Sequence, residues 1–207
     1  MLTRSWTGRV SPEWTIRVAG RTGDTAWDPA WAEADDRTLV EVCLAGERQA
    51  FDIIVERHRR QVYQLCYRYV GNHEDASDLA QDAFIRAFRG LKGFKGESSL
   101  STWLYRIAVN VCLNRLALKT PRGEPLEPAE RIDFHAERQD LAMMRAEQAA
   151  QVRAAIRQLP PKQRATVILR IYHDLPHDEI AGILGSSVGA AKANLFHALA
   201  NLKKLLR

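Results

Sequence analysis

The sequence is poor in cysteine and has no long apolar run. Its 207 residues include three cysteines, Cys43, Cys66 and Cys112, which are odd in number, far apart and outside any CxxC pattern. This spacing excludes a disulfide framework and a cysteine-based metal knuckle. No stretch approaches the roughly 20 apolar residues of a bilayer span, and residues 1–36 lack the parts of a signal peptide. These absences predict a soluble, cytoplasmic protein with no membrane insertion.

Motifs of catalysis and cofactor binding are absent as well. There is no glycine-rich phosphate loop, no HExxH and no Ser–His–Asp arrangement. The alternative function of an enzyme depends on His173, His177 and Glu179, whose spacing could bind a metal ion. Pro176 interrupts that segment, and no third ligand lies within sequence reach. We therefore expect no catalytic residue, no metal and no cofactor.

The positive charge is concentrated in the C-terminal third. The chain carries a formal net charge of +5. From Ala146 onward nine basic residues stand against four acidic ones, whereas the 21 basic and 21 acidic residues before it cancel. An excess confined to one segment indicates that this segment binds a polyanion such as nucleic acid.

Apolar periodicity predicts an all-α fold of two small helical domains joined by a flexible linker. Apolar residues recur at helical spacing from Asp35 onward, most regularly from Ala76 to Leu91, and no strand-like alternation persists. Prolines interrupt the pattern between the two helical parts. We expect a disordered extension over 1–34, a four-helix domain over 35–118, an acidic Pro-rich linker over 119–143 and a helix-turn-helix domain over 144–207.

The last domain contains the most specific local pattern. A short helix carries the small Ala181, Gly185 allows a turn four residues later, and a second helix begins near Ser187. This arrangement is typical of a helix-turn-helix, which offers its second helix to the major groove. The expected inner face comprises Val188, Ala191, Leu195, Leu199 and Leu202, and the expected outward residues are Lys192, Asn194, His197 and Asn201. A helical hairpin without a role in DNA binding is the alternative.

A second pattern suits unpaired bases. Phe94 and Lys95 stand in a glycine-containing loop that precedes a helix, and Arg106, Asn110 and Asn114 share one stripe of that helix. Aromatic faces, amides and cations are the groups that hold single-stranded nucleic acid. A merely solvated helix face is the alternative interpretation.

Together these segments resemble the bacterial RNA polymerase sigma factors, specifically the extracytoplasmic-function (ECF) group of the sigma-70 family. The resemblance covers residues 35–207. Four stretches carry it in order: DASDLAQDAFIRAF (75–88), STWLYRIAVN (101–110), LPPKQR (159–164) and DEIAGILG (178–185).

The resemblance implies partners and site residues. It implies that core RNA polymerase binds through its largest-subunit clamp helices to Asp78, Gln81 and Asp82, and through its second-largest-subunit flap to the final domain. It implies minus-ten promoter contacts from Phe94, Lys95, Ser98, Ser99, Arg106, Asn110 and Asn114. It implies minus-35 contacts from Ser187, Lys192, Asn194, Phe196 and His197. An anti-sigma factor is a further expected partner.

The recognition helix departs from the family pattern. Asn194, His197 and Leu199 stand where arginines are common in the family. Fewer guanidinium contacts mean weaker phosphate binding and fewer guanine readings. We therefore expect either an unusual minus-35 element, with adenine read by Asn194, or a weak minus-35 contact. The alternative function is a helix-turn-helix regulator that binds duplex DNA without polymerase, which leaves the Phe94 loop and the acidic helix face without a purpose.

Overall fold

Every regular element in the described part of the chain is helical. The computed structural model describes residues 30–119 and 139–206. The helices are α1 (Ala30–Glu33), α2 (Asp36–Leu44), α3 (Ala50–Val70), α4 (His73–Gly90), α5 (Leu100–Lys119), α6 (Gln139–Gln158), α7 (Pro161–Val167), α8 (His177–Leu184) and α9 (Val188–Leu205). A 3-10 turn (Leu91–Gly93) follows α4, and a π-helical turn (Ile168–Tyr172) follows α7. The predicted all-α fold is confirmed.

Two predicted segment boundaries differ from the structure. Helix α1 occupies the end of the segment predicted as a disordered extension, and Arg57 Nη2 donates to the Trp31 carbonyl at 3.4 Å. Helix α6 begins at Gln139, inside the segment predicted as linker. Polar residues such as Gln139 and Asp140 weaken the apolar period there, which hides the start of the helix. Residues 1–29 and 120–138 lie outside the described residues.

Local capping fixes the ends of the N-terminal helices. Asp35 Oδ1 accepts from the Thr38 backbone N–H at 2.7 Å and begins α2. Asn72 Oδ1 accepts from the Asp75 N–H at 2.7 Å and begins α4. Gly71, at φ 86°, ends α3 in a left-handed conformation that a side chain would strain. These caps set the lengths of the helices that carry the candidate site.

The core of the N-terminal domain lies between α2, α3, α4 and α5. Phe51 of α3 meets Phe88 of α4 edge to face, with ring centroids 5.1 Å apart. Leu104 and Ala108 of α5 are buried against the same cluster. Burying a large apolar side chain contributes roughly 1.5–3 kcal/mol relative to leaving it exposed, so this packing fixes the position of α5.

The predicted helix-turn-helix is present. Ala181 of α8 is buried, Gly185 adopts φ 57° in the turn, and Ser187 Oγ accepts from the Ala190 N–H at 3.1 Å to begin α9. The small side chain at 181 lets α9 cross α8 closely.

The inner face of α9 is corrected by the structure. It consists of Ala191, Leu195, Ala198 and Leu202. Val188 and Leu199, predicted to be buried, are 42% and 49% exposed. The buried residues of α9 follow one another at intervals of four, three and four, so Ala198 belongs to the inner face. Alanine is only weakly apolar, and the prediction therefore chose the neighbouring Leu199. Asn201, predicted to point outward, instead donates through Nδ2 to Gln163 Oε1 at 3.0 Å.

A buried cation joins the two domains. Arg164 of α7 is 6% exposed, and its Nη1 donates to the Tyr69 carbonyl of α3 at 3.0 Å. Its Nη2 donates to the carbonyls of Leu159, at 3.3 Å, and Arg157. Burial lowers the pKa of this guanidinium. The three carbonyls replace part of its lost hydration, and its Nε is buried without a partner among the described residues. Tyr69 Oη in turn donates to the Pro161 carbonyl at 2.8 Å. Tyr69 therefore accepts one hydrogen bond from α7 and donates another to it.

Candidate nucleic-acid interface

Serine hydroxyls organise the start of α5. Ser99 Oγ accepts from the Thr102 backbone N–H at 3.1 Å, as an N-cap does. It also shares hydrogen bonds with the hydroxyls of Ser101, at 2.8 Å, and Thr102, at 2.7 Å. Ser98 Oγ donates weakly to the Ser99 carbonyl at 3.4 Å. Ser99, predicted to contact the minus-ten element, therefore caps the helix in this structure.

The aromatic residue of the loop is stacked against α5. Phe94 is half-buried, and its ring centroid lies 5.4 Å from that of Trp103. The Phe94 N–H donates to the Leu91 carbonyl at 3.0 Å, which holds the loop against the 3-10 turn. Lys95, next in the chain, is exposed. The loop thus presents an aromatic face and a cation side by side.

Three polar residues of α5 form one exposed stripe. Arg106, Asn110 and Asn114 are all exposed and follow one another at intervals of four residues. Opposite them, Leu104, Ala108 and Val111 are buried in the core, so the stripe faces away from the core of the N-terminal domain. Its guanidinium can donate to phosphates and base edges, and its amides can both donate to and accept from base edges.

The predicted polymerase-binding residues lie on α4 but differ in their surroundings. Asp78 and Gln81 are exposed. The carboxylate of Asp82 is held by Arg86, whose Nη2 lies 2.9 Å from Oδ2 and whose Nε donates to Oδ1 at 3.0 Å. This pairing raises the pKa of Arg86. Asp78 and Gln81 are therefore the freer groups on this face.

The outer face of α9 carries the predicted minus-35 residues. Lys192 and His197 are exposed, Asn194 is half-buried, and Phe196 is 71% exposed. The rings of Phe196 and His197 meet edge to face with centroids 5.6 Å apart. Ser187, the remaining predicted residue, uses its hydroxyl to cap α9. Phe196 is the most exposed of the large apolar side chains in the described residues.

The first turns of α5 contact α8. Thr102 Oγ1 donates to Glu179 Oε2 at 2.5 Å, and Arg106 Nη2 lies beside Gly182. The ring of His173 lies 4.6 Å from that of Tyr105. No local pattern points to these pairs, because their members are far apart in the chain. The candidate minus-ten surface therefore borders the helix-turn-helix domain.

His173 lies between charged and aromatic neighbours in this interface. Its Nε2 is buried without a hydrogen-bond partner among the described residues. Burial and, to a lesser extent, Arg68 lower its pKa to about 4. Among the described residues no group of three His, Cys, Asp or Glu side chains is arranged to hold a metal ion. Likewise, no described helix is long and apolar enough to cross a bilayer.

Comparisons with known proteins match both domains. The Sigma-70 region 2 family matches residues 54–120, and the Sigma-70 region 4 family matches residues 149–202. The RNA polymerase sigma-H factor of Pseudomonas aeruginosa is 35% identical, over 84% of this chain and 95% of its own length. The chain belongs to the ECF group of the sigma-70 family. It is a sigma factor, a protein that binds core RNA polymerase and directs it to promoters.

Further relatives agree with this assignment. The ECF sigma factor SigW of Bacillus subtilis is 34% identical, over 78% of this sigma factor and 91% of its own chain. Among solved structures, CnrH in complex with the cytosolic domain of CnrY has a TM-score of 0.61 at 23% identity, over 83% of this chain and 96% of that one. The sigma factor RpoE of Bartonella quintana, solved with the anti-sigma factor NepR, has a TM-score of 0.59 at 21% identity, over 75% and 96% of the two chains. These structural likenesses support the same helical fold.

Proposed function

We propose that this sigma factor divides promoter recognition between two surfaces. The loop 94–99 and the stripe of α5 hold the unpaired minus-ten strand, and the outer face of α9 reads the minus-35 duplex. The observation that carries the proposal is the exposed series Arg106, Asn110 and Asn114 beside the Phe94 loop. An aromatic face, a cation and amide groups meet there on a rigid helix, which is the set of groups that an extruded base requires.

Binding an extruded base lowers the free-energy cost of strand opening. Unstacking costs about a few kcal/mol per step, and contacts made only by the extruded base offset it. The tilted contact between the rings of Phe94 and Trp103 places an aromatic group in the loop before DNA arrives. The protein forms and breaks no covalent bond in this scheme, because polymerase carries out the chemistry.

Polymerase docks on the exposed face of α4 in this proposal. Asp78 and Gln81 are exposed and available to the clamp helices. Asp82 contacts the clamp helices either after its ion pair with Arg86 breaks or with that ion pair intact. The final domain contacts the flap. We place the protein in the cytoplasm, where polymerase and promoters are found. We further propose regulation by an anti-sigma factor, since both similar solved structures are complexes, one of them with an anti-sigma factor.

Core-dependent DNA selection tests the proposal. The purified chain is mixed with bacterial core polymerase, and promoter DNA is selected from a random pool with and without core. We expect stoichiometric co-elution and a bipartite site that is selected only with core. A duplex site selected by the chain alone, without co-elution, would instead establish a regulator that acts without polymerase.

Paired variants separate the two surfaces. Asp78→Arg is expected to reduce co-elution with core, while Glu56→Arg, an exposed carboxylate on α3, serves as its control. Asn110→Ala is expected to keep co-elution and to lose selection within the minus-ten half. If Asn110→Ala selects the same minus-ten sequence as the unmodified chain, the stripe does not read bases.

A further inference from the structure

We propose that a cleft between α2 and the end of α4 is a second nucleotide subsite, which holds an unpaired base and its phosphate beside the base captured by the 94–99 loop. The cleft has a volume of about 370 Å³. This is within the size range of small-ligand sites, which begins at about 300 Å³. The inference rests on the proposed function, because it extends the same strand-binding surface.

The cleft combines an apolar floor with a cationic rim. Leu44, Phe88 and Leu91 supply the floor, and Leu44 is 44% exposed although it is large and apolar. The rim comprises Arg48, Arg89 and Lys92. A nucleotide has the complementary pair of properties, since its base has flat apolar faces and its phosphate is anionic.

The rim cations are not neutralised by neighbours. Within residues 30–119 and 139–206, no ion pair involves Arg48, Arg89 or Lys92. Burial first and the charge of Asp52 second raise the pKa of the Cys43 thiol to about 11. Cys43 is thus an uncharged part of the wall at neutral pH. The described lining includes three cations and no acidic side chain, so it attracts an anion.

One wall of the cleft is continuous in the chain with the base-capturing loop. This wall, from Phe88 to Lys92, closely precedes Phe94, and the Leu91 carbonyl accepts from the Phe94 N–H at 3.0 Å. The opposite wall comes from the end of α2 and the residues that follow it. A strand whose base is held by the loop would carry its neighbouring nucleotide past Lys92. An acidic, amphipathic protein segment has similar chemistry, but this continuity favours the promoter strand.

A ladder of single strands tests the subsite. Holoenzyme formed from core and the full chain is titrated with fluorescent non-template strands that contain the selected minus-ten element and extend by one nucleotide at a time on either side. We expect an affinity gain of about 3- to 10-fold when one particular nucleotide is added, and loss of that gain when its base is removed. The logarithmic salt dependence is expected to weaken by about 0.7 for each lost phosphate contact.

Substitutions assign the gain to the cleft. Arg48→Ala combined with Arg89→Ala is expected to abolish the gain, while the matched control Arg60→Ala, exposed on α3, retains it. A ladder without any step, on strands that still bind through the minus-ten element, overturns the subsite and leaves the proposed function intact. If the ladder has no step but the same substitutions weaken binding to a protein partner, the cleft is a site for that protein. This outcome also overturns the nucleotide subsite. Failure to bind the minus-ten element at all overturns both proposals.

Discussion

Thr102 and Glu179 are joined by a hydrogen bond of 2.5 Å across 77 residues of chain. Thr102 is buried at the start of α5, and Glu179 lies in the first turn of α8. Ser99 Oγ, 2.7 Å from Thr102 Oγ1, holds the same hydroxyl from the other side. The helix that carries the candidate minus-ten stripe is thereby tied to the helix-turn-helix domain.

This contact constrains how the protein meets a promoter. The two promoter elements are about 25 base pairs apart, or about 85 Å of duplex at 3.4 Å per base pair. A compact body of this chain length has a radius of gyration of only roughly 17 Å. On the proposed assignment of the two surfaces, both elements cannot be bound while α5 contacts α8. We therefore predict that the domains separate on promoter binding and that the Thr102–Glu179 bond breaks.

Glu179→Ala is expected to favour the separated state. It leaves the Thr102 hydroxyl without its charged acceptor, and hydrogen bonds to charged groups contribute about 1.5–3 kcal/mol. We expect a larger radius of gyration by small-angle X-ray scattering of the free protein. Glu179→Gln retains an acceptor oxygen and should remain close to the unmodified protein. An unchanged radius for Glu179→Ala would show that this bond does not hold the domains together.

His173 makes the same interface sensitive to acid. Its pKa of about 4, against an ordinary 6.5, means that the closed structure binds fewer protons than the unfolded chain between those pH values. Stability is therefore lost as pH falls below about 6.5, by on the order of 1–2 kcal/mol at pH 5. His173→Phe keeps a ring against Tyr105 and cannot be protonated. Urea unfolding at pH 7 and pH 5 should show a smaller acid-induced loss in this variant, and equal losses would contradict the role of His173.

Helix-ending glycines and apolar spacing in the sequence predict the helices well. Gly71 and Gly185 both adopt the left-handed conformation that ends a helix, and the helix-turn-helix follows from the pattern around Ala181. The error on α9 arose because adjacent stripes differ by one residue, and Ala198 contributes less apolar signal than the exposed Leu199.

Contacts between distant residues were not predictable. Thr102 and Glu179 are ordinary polar residues in the sequence, and only the packing of α5 on α8 brings them together. Within the candidate site, the spacing of the residues in the sequence predicts the stripe of α5. The capping role of Ser99 and the pairing of Asp82 with Arg86 depend instead on the folded geometry.

Gly71 and Gly185 separate backbone strain from steric contact. At both positions a side chain is strained by a positive φ, which costs about 1 kcal/mol. A Cβ on Gly71 would also lie 2.5 Å from Arg157 Nη1 and 2.7 Å from its Cδ, whereas a Cβ on Gly185 meets nothing within 4 Å. We expect Gly71→Ala to destabilise the protein by roughly 2 kcal/mol and Gly185→Ala by about half as much. Urea unfolding measures both, and equal losses would mean that Arg157 moves aside without cost.

Asn194 is predicted to read one base pair of the minus-35 element. It is half-buried beside the inner face of α9. An asparagine amide can pair with adenine in the major groove. Asn194→Ala should relax the preference at one base pair by about 1–3 kcal/mol. Selection of duplex sites by the holoenzyme measures this directly. A selection profile identical to that of the unmodified protein would remove Asn194 from the reading residues.

Phe196 is predicted to contact a thymine methyl group. Its side chain is 71% exposed on α9, and the thymine methyl is the apolar group that the major groove presents. Phe196→Ala should weaken binding of the selected promoter by about 3- to 10-fold, the range expected for about 1 kcal/mol of lost apolar contact. Deoxyuridine lacks only that methyl, so replacing the critical thymine should weaken the unmodified holoenzyme equally and leave Phe196→Ala unaffected. Leu206→Ala, equally apolar but at the end of the helix, is the control. If no thymine in the element responds to deoxyuridine, the exposed ring serves another contact.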